Sequence, residues 1–289
     1  MTPQRKVQLA TAFVIVCWAY SPIGIRSGLQ AYAPGSLALL RFLIASLFML
    51  GIALWRGIAL PARRDIPLLL LLGAFAVSFH HLALNLGQRH VSVGAASILA
   101  QSTPIFSALI ARFFLGEAVS RWRWGCIGVA MAGAALVALS DRSAAAPHYG
   151  YAALILGAAV SWSIYFSLQK RYGQRYSDLT MVCYTIWSGT LLLCAYLPGL
   201  AVQIAAAPLR VNMAVLLLGL FPSALAYLAW AYVLQHCQLS RAAAALYLVP
   251  PTAILMAAAL WGELPSWPVL LGGALIIAAL FGLQRGQQA

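Results

Sequence analysis

The chain has 289 residues, 63% of them hydrophobic and 8% charged, with a net charge of +13. No soluble core needs so large an apolar share, and runs of about 20 apolar residues recur along the whole sequence. The basic excess would suggest nucleic acid in a soluble protein, but it gathers in the breaks between apolar runs, which excludes that partner and points to a lipid bilayer.

Ten apolar runs begin near Leu9, Gly35, Ile66, Val91, Trp122, Gly150, Leu179, Asn212, Arg241 and Trp267. Ala, Leu and Gly predominate over alternating β-branched residues, so an all-α membrane protein with ten transmembrane helices is expected rather than a barrel. The first run follows Arg5 and Lys6, and Ala31-Tyr32-Ala33 beyond it looks like the cleavage site of a secretory signal. Against removal, Pro34 would follow the cut, and Trp18-Ala19-Tyr20-Ser21 has a counterpart in Trp162-Ser163-Ile164-Tyr165 of the sixth run.

Arg41 lies about two turns inside the second run, near enough to its outer end to snorkel. The third run carries His80, His81 and Asn85. Adjacent histidines on a helix point about 100° apart, so at most one faces a pocket squarely. No His, Cys or acid lies three or four residues away on the same face, so no metal is expected. The fourth run holds Gln101 and then Ser102-Thr103-Pro104-Ile105, and ends at Gly116-Glu117. In the ninth, Tyr247 precedes Val249-Pro250-Pro251-Thr252, and the run ends at Gly262-Glu263.

Pro104 and Glu117 are separated by the same distance as Pro250 and Glu263, which marks an internal duplication. Residues 1–140 form one repeat and 150–289 the other, joined by a polar break at 141–149. Five spans per repeat is an odd number, so the halves enter the membrane from opposite sides and are inverted. Placing both termini in the cytoplasm leaves only Arg26, Arg89, Arg142 and Arg210 on the outside, the bias of a bacterial-type inner membrane protein. The register set by the prolines pairs His81 with Tyr227, Leu84 with Trp230, Asn85 with Ala231 and Gln101 with Tyr247. The first and sixth runs pair Trp18 with Trp162.

The stretches Pro104 to Leu136 and Pro250 to Leu280, each with its Pro, its Gly-Glu and a closing helix rich in Gly and Ala, resemble the duplicated EamA domain of the drug/metabolite transporter superfamily. The resemblance covers essentially the whole chain. The aromatic-rich helices and the His80-His81 pair are similar to amino-acid exporters of the YddG type. It implies a carrier for amino acids, aromatic and other neutral ones included; related branches move drugs, nucleosides, sugar phosphates and nucleotide sugars.

Polar and aromatic groups within spans should face the interior, since an unpaired one in lipid costs several kcal/mol. The candidate substrate-binding residues are Trp18, His80, His81, Asn85, Gln101, Trp162, Tyr165, Tyr227, Trp230 and Tyr247. Trp55, Trp122, Trp124, Trp261 and Trp267 fall at run ends, where the headgroup belt explains them. Pro22, Pro104, Pro222, Pro250 and Pro251 remove backbone donors within spans and are candidate hinges or static kinks.

The acids Asp65, Glu117, Asp141, Asp178 and Glu263 all fall in loops or at helix ends, so no intramembrane carboxylate relay is expected. There is no GxxxxGK[ST] loop and no catalytic constellation, so neither an ATPase, an enzyme nor a cofactor is expected. Facilitated diffusion and coupling through His and water both stay open, as does a channel. The five cysteines lack CxxC spacing and read as small hydrophobes. Gly125, Gly128, Gly133, Gly272, Gly273 and Ala274 suit a close helix seam, within a monomer or between two; a duplicated chain has less need to dimerise, and a monomer is expected.

Overall fold

The computed structural model describes residues 3–114, 120–140, 149–172, 176–236, 246–262 and 264–285, and among these the chain is helical with no strand. Glu117, Asp141 and Glu263 lie outside the described residues. In chain order the helices are α1 (Pro3–Gly28), α2 (Pro34–Arg56), α3 (Ile66–Gly73), α4 (His80–Gly87), α5 (Val93–Ala100), α6 (Thr103–Phe114) and α7 (Arg121–Ser140). There follow α8 (Tyr149–Tyr172), α9 (Asp178–Leu193), α10 (Leu200–Ala206), α11 (Leu209–Leu220), α12 (Ala226–His236), α13 (Val249–Trp261) and α14 (Trp267–Arg285). Six stretches are long and apolar enough to cross a bilayer: Gln4–Gly28, Pro34–Arg56, Arg63–Gly87, Tyr149–Gln169, Asp178–Tyr196 and Leu209–Val233. Trp124–Val137, Val249–Trp261 and Trp267–Ala279 are shorter apolar helices. The chain is a multi-pass membrane protein.

Helix ends follow local chemistry. Pro34 opens α2, where its missing N–H costs nothing. Ser92 and Ser177 cap α5 and α9 by accepting from the backbone N–H groups of Ala95 and Thr180. Gly262 takes a φ of 65° and ends α13 in the left-handed conformation.

Two spans are interrupted by wide helical turns, and these stand in matching places. Ala74–Phe79 joins α3 to α4 as a π-helix, and Phe221–Leu225 joins α11 to α12 in the same way. The register that pairs Pro104 with Pro250 also pairs Phe79 with Leu225 and Gly73 with Gly219. Pro222 cannot donate to the carbonyl of Leu218, and the Ser223 hydroxyl donates to that carbonyl instead, at 2.9 Å. In the other π turn Ser161 of α8 donates to the Phe75 carbonyl at 2.7 Å.

Helix contacts in the earlier part of the chain recur in the later part, in the register set by the prolines. α1 packs on α11, α12 and α13, as α8 packs on the π turn 74–79, α4 and α6. α2 packs on α11 as α9 packs on α3, while α2 with α9, α5 with α13, and α7 with α14 meet as corresponding pairs. Glycines set the closest approaches. A Cβ on Gly73 would stand 2.4 Å from the Gly189 nitrogen, and one on Gly219 would stand 2.7 Å from the Arg41 carbonyl oxygen. Gly133 and Gly272 form a reciprocal contact between α7 and α14, so that seam lies inside the chain. Gly125 and Gly128 face open space.

Two sequence expectations are corrected here. Pro104 is the second residue of α6, and Pro250 and Pro251 fall in the first turn of α13. First-turn residues have no intrahelical donor to lose, so these prolines start helices and do not interrupt them. The breaks lie just before them, at the Gln101-Ser102 turn and the 3-10 turn Leu246–Leu248. Pro22 does lie inside α1, and Pro222 inside a π turn. Arg41 does not snorkel: its side chain is buried to 2% exposure, because Ser223 and His81 hold it inward.

Candidate functional site

On α8, Trp162, Tyr165, Phe166 and Gln169 recur at i, i+3, i+4 and i+7, which puts them on one helical face. Tyr227, Trp230 and Ala231 do the same on α12, and Asp178 and Val182 on α9. With Trp18 of α1, these residues line one cavity between α1, α8, α9 and α12. The space they enclose is about 30 Å³, room for about a water or two, so a solute enters only as the walls move apart.

The walls are aromatic rings set edge to face or tilted. Trp18 stands 5.5 Å from Trp230 and 6.4 Å from Tyr227, measured between ring centroids. Trp162 stands 5.8 Å from Tyr227, 5.2 Å from Tyr165 and 5.5 Å from Phe166. Such contacts lock the rings and present both π faces and positive edges to the space between them. The Trp18 indole N–H donates to the Pro222 carbonyl at 3.2 Å, which fixes its ring against the π turn. The Tyr227 hydroxyl and the Trp230 indole nitrogen are buried and make no hydrogen bond among the described residues. A buried polar group without a partner costs about 1–3 kcal/mol, so two of them on one cavity wall make it the candidate ligand site.

A polar layer lies behind the Trp162 wall. His80 packs on Trp162 at 4.7 Å and donates its Nδ1–H to the Ala158 carbonyl, 2.8 Å away. His81 stands perpendicular to it at 4.6 Å and meets Arg41 Nη1 through its Nδ1 at 3.2 Å. Arg41 Nε bonds the Ser223 hydroxyl, and the guanidinium lies 5.3 Å from the centre of the Phe42 ring. Three spans meet at this cation: α2, the His pair at the start of α4, and the second π turn.

Of the residues singled out in the sequence, Trp18, Trp162, Tyr165, Tyr227 and Trp230 come together on the cavity wall. His80 and His81 form the layer behind it. Asn85 is fully buried and donates to the Pro34 carbonyl at 3.0 Å, tying α4 to the start of α2. Gln101 sits in the turn between α5 and α6 and is not among the described lining residues. Tyr247 belongs to the 3-10 turn, and its side chain lies outside the described residues. Phe166, Gln169 and Asp178 were missed. The i, i+3, i+4, i+7 stripe starting at Trp162 would have found the first two. Asp178 begins α9, the helix-end position its sequence context predicts, and that end of α9 borders the cavity.

Among the described residues no group of three or more His, Cys, Asp or Glu side chains stands close enough to hold a metal ion. The exposed Trp55, Trp122 and Trp267 stand apart from the site at helix ends.

The profile of the EamA-like transporter family matches residues 6–139 and again 150–284. The chain is 36% identical to a probable terminal-alkyne amino-acid exporter of Streptantibioticus cattleyicolor, over 97% of this chain and 94% of that one. It is 35% identical to the transporter YdfC of Bacillus subtilis, covering 95% and 90% of the two chains. A probable amino-acid metabolite efflux pump of Salmonella typhimurium is 27% identical over 96% of this chain and 94% of its own length. A solved crystal structure superposes with a TM-score of 0.65 at 19% identity, covering 98% and 99% of the two chains, and shows the same fold.

Proposed function

The chain belongs to the EamA-like transporter family, and from that premise we propose that it exports amino acids, aromatic and other neutral ones, across a bacterial inner membrane. The observation that carries this reading is the cavity walled by Trp18, Trp162, Tyr165, Phe166, Tyr227 and Trp230, with Gln169 and Asp178 as its polar members. Aromatic faces attract an ammonium group and pack an apolar side chain, and a carboxylate or amide at the mouth orients a zwitterion. The printed descriptions of two relatives, an amino-acid exporter and an amino-acid metabolite efflux pump, favour the same solute class.

The carrier consists of ten spans in two inverted repeats, 1–140 and 150–289, with both termini in the cytoplasm. The self-mapping helix contacts and the paired π turns support that division. In that orientation Gln169 and Asp178 lie toward the cytoplasm, so the cavity opens inward, where an exporter loads. Transport follows the concentration difference by alternating access and uses one chain. Pro22 and Pro222, together with the breaks that precede Pro104 and Pro250, are the points about which the spans move.

Purified protein in liposomes tests the solute class with a panel of labelled amino acids, nucleosides and sugar phosphates, without ATP. Flux of L-phenylalanine and other neutral amino acids above the rest is the expected result. Greater flux of nucleosides or sugar phosphates would assign the chain to another branch of the family.

A further inference from the structure

Arg41 is a cation buried in a membrane helix, and no acid pairs with it among the described residues. Its Nε is bonded to Ser223 and its Nη1 to His81, while Nη2 makes no hydrogen bond among the described residues. A charged side chain within a span is costly, up to about 2.5–3.5 kcal/mol at its centre even by insertion scales, so such a buried arginine persists where the charge is used.

The bond to Arg41 also fixes what His81 offers. Arg41 only donates, so Nδ1 of His81 accepts, and the proton of the neutral ring sits on Nε2. Among the described residues that Nε2 is buried and has no acceptor. On the cavity side of the same layer, the Tyr227 hydroxyl and the Trp230 N–H are also without acceptors among the described residues. The chemistry that satisfies these three donors and the Arg41 charge is an anion with two acceptor oxygens. A guanidinium has the planar fork that a carboxylate matches.

We propose that Arg41 is the carboxylate-binding residue of the transport path. This rests on the amino-acid reading above and deepens it. The side chain and ammonium of the solute occupy the aromatic cavity, and its carboxylate passes to Arg41 when the His80 and Trp162 layer moves aside. Ser223 and His81 hold the guanidinium in place between visits. The site then selects solutes with a free carboxylate over amines and amides of the same shape.

Equilibrium binding to the whole purified protein tests this with three probes: L-phenylalanine, L-phenylalaninamide and 2-phenylethylamine. The wild type should bind the acid about tenfold or more tighter than either neutral-ended analogue, the difference a charged hydrogen-bonded pair supplies. In Arg41→Gln that ratio should fall to about 1 through loss of acid binding, with the amide's own affinity little changed. Arg41→Lys, which keeps the charge and loses the fork, should lie between, and it decides the matter if the Gln variant does not fold. A wild-type ratio near 1, a ratio unchanged in either variant, or equal weakening of acid and amide in Arg41→Gln would overturn the assignment. Wild-type protein that binds none of the three probes would overturn the amino-acid reading itself, and this one with it.

Discussion

Tyr227 and Trp230 carry buried polar atoms that find no hydrogen-bond partner among the described residues, which costs the folded protein free energy. Tyr227→Phe should therefore leave thermal stability unchanged or slightly raised while transport falls, and a melting curve beside a flux assay separates the two effects. Trp162→Ala should lower flux by about tenfold or more at near-normal folded yield, since a large aromatic anchor contributes about 2 kcal/mol or more to recognition. Asn85→Ala should do the opposite: its side chain clamps the Pro34 carbonyl, so a loss of about 1–3 kcal/mol in stability is expected with little change in flux per folded molecule. Trp18 and Trp162 were legible as pocket residues because they fall deep in spans and repeat between the halves. The role of Arg41 was not, because sequence distance to a helix end does not reveal that Ser223 and His81 draw the side chain inward across three spans.

At the scale of helices, Gly73 of α3 and Gly219 of α11 are close contact points in matching register. Gly73→Ala and Gly219→Ala each drive a methyl against backbone atoms of a neighbouring helix and should cost about 1–3 kcal/mol, read as a lowered Tm in detergent. Gly125→Ala, whose Cβ meets open space, should be neutral or gain up to about 1 kcal/mol of helix propensity. That the chain is helical and crosses a membrane several times could be read from its apolar runs, six of which are helices long enough to span a bilayer. The π turns could not, since only Pro222 hints at one of them and Ala74–Phe79 carries no breaker at all. Pro104 and Pro250 misled in the other direction: a proline in an apolar run marks an irregularity, and only the helix start just before it says which kind.

At the scale of the whole molecule, the proposed carrier has an aromatic cavity that opens to the cytoplasm and closes around an amino acid. Fold class followed from composition because lipid allows so few architectures. The cavity's position between α1, α8, α9 and α12 required the packing of both halves, which no single run encodes. Gln169 lines that cavity and offers the most direct probe. In a background with Cys17, Cys126, Cys183, Cys194 and Cys237 replaced, Gln169→Cys should react with an impermeant maleimide added from the cytoplasmic side. Saturating L-phenylalanine should protect it. Equal labelling from both sides of the membrane, unchanged by the amino acid, would mean an open pore and contradict alternating access through this site.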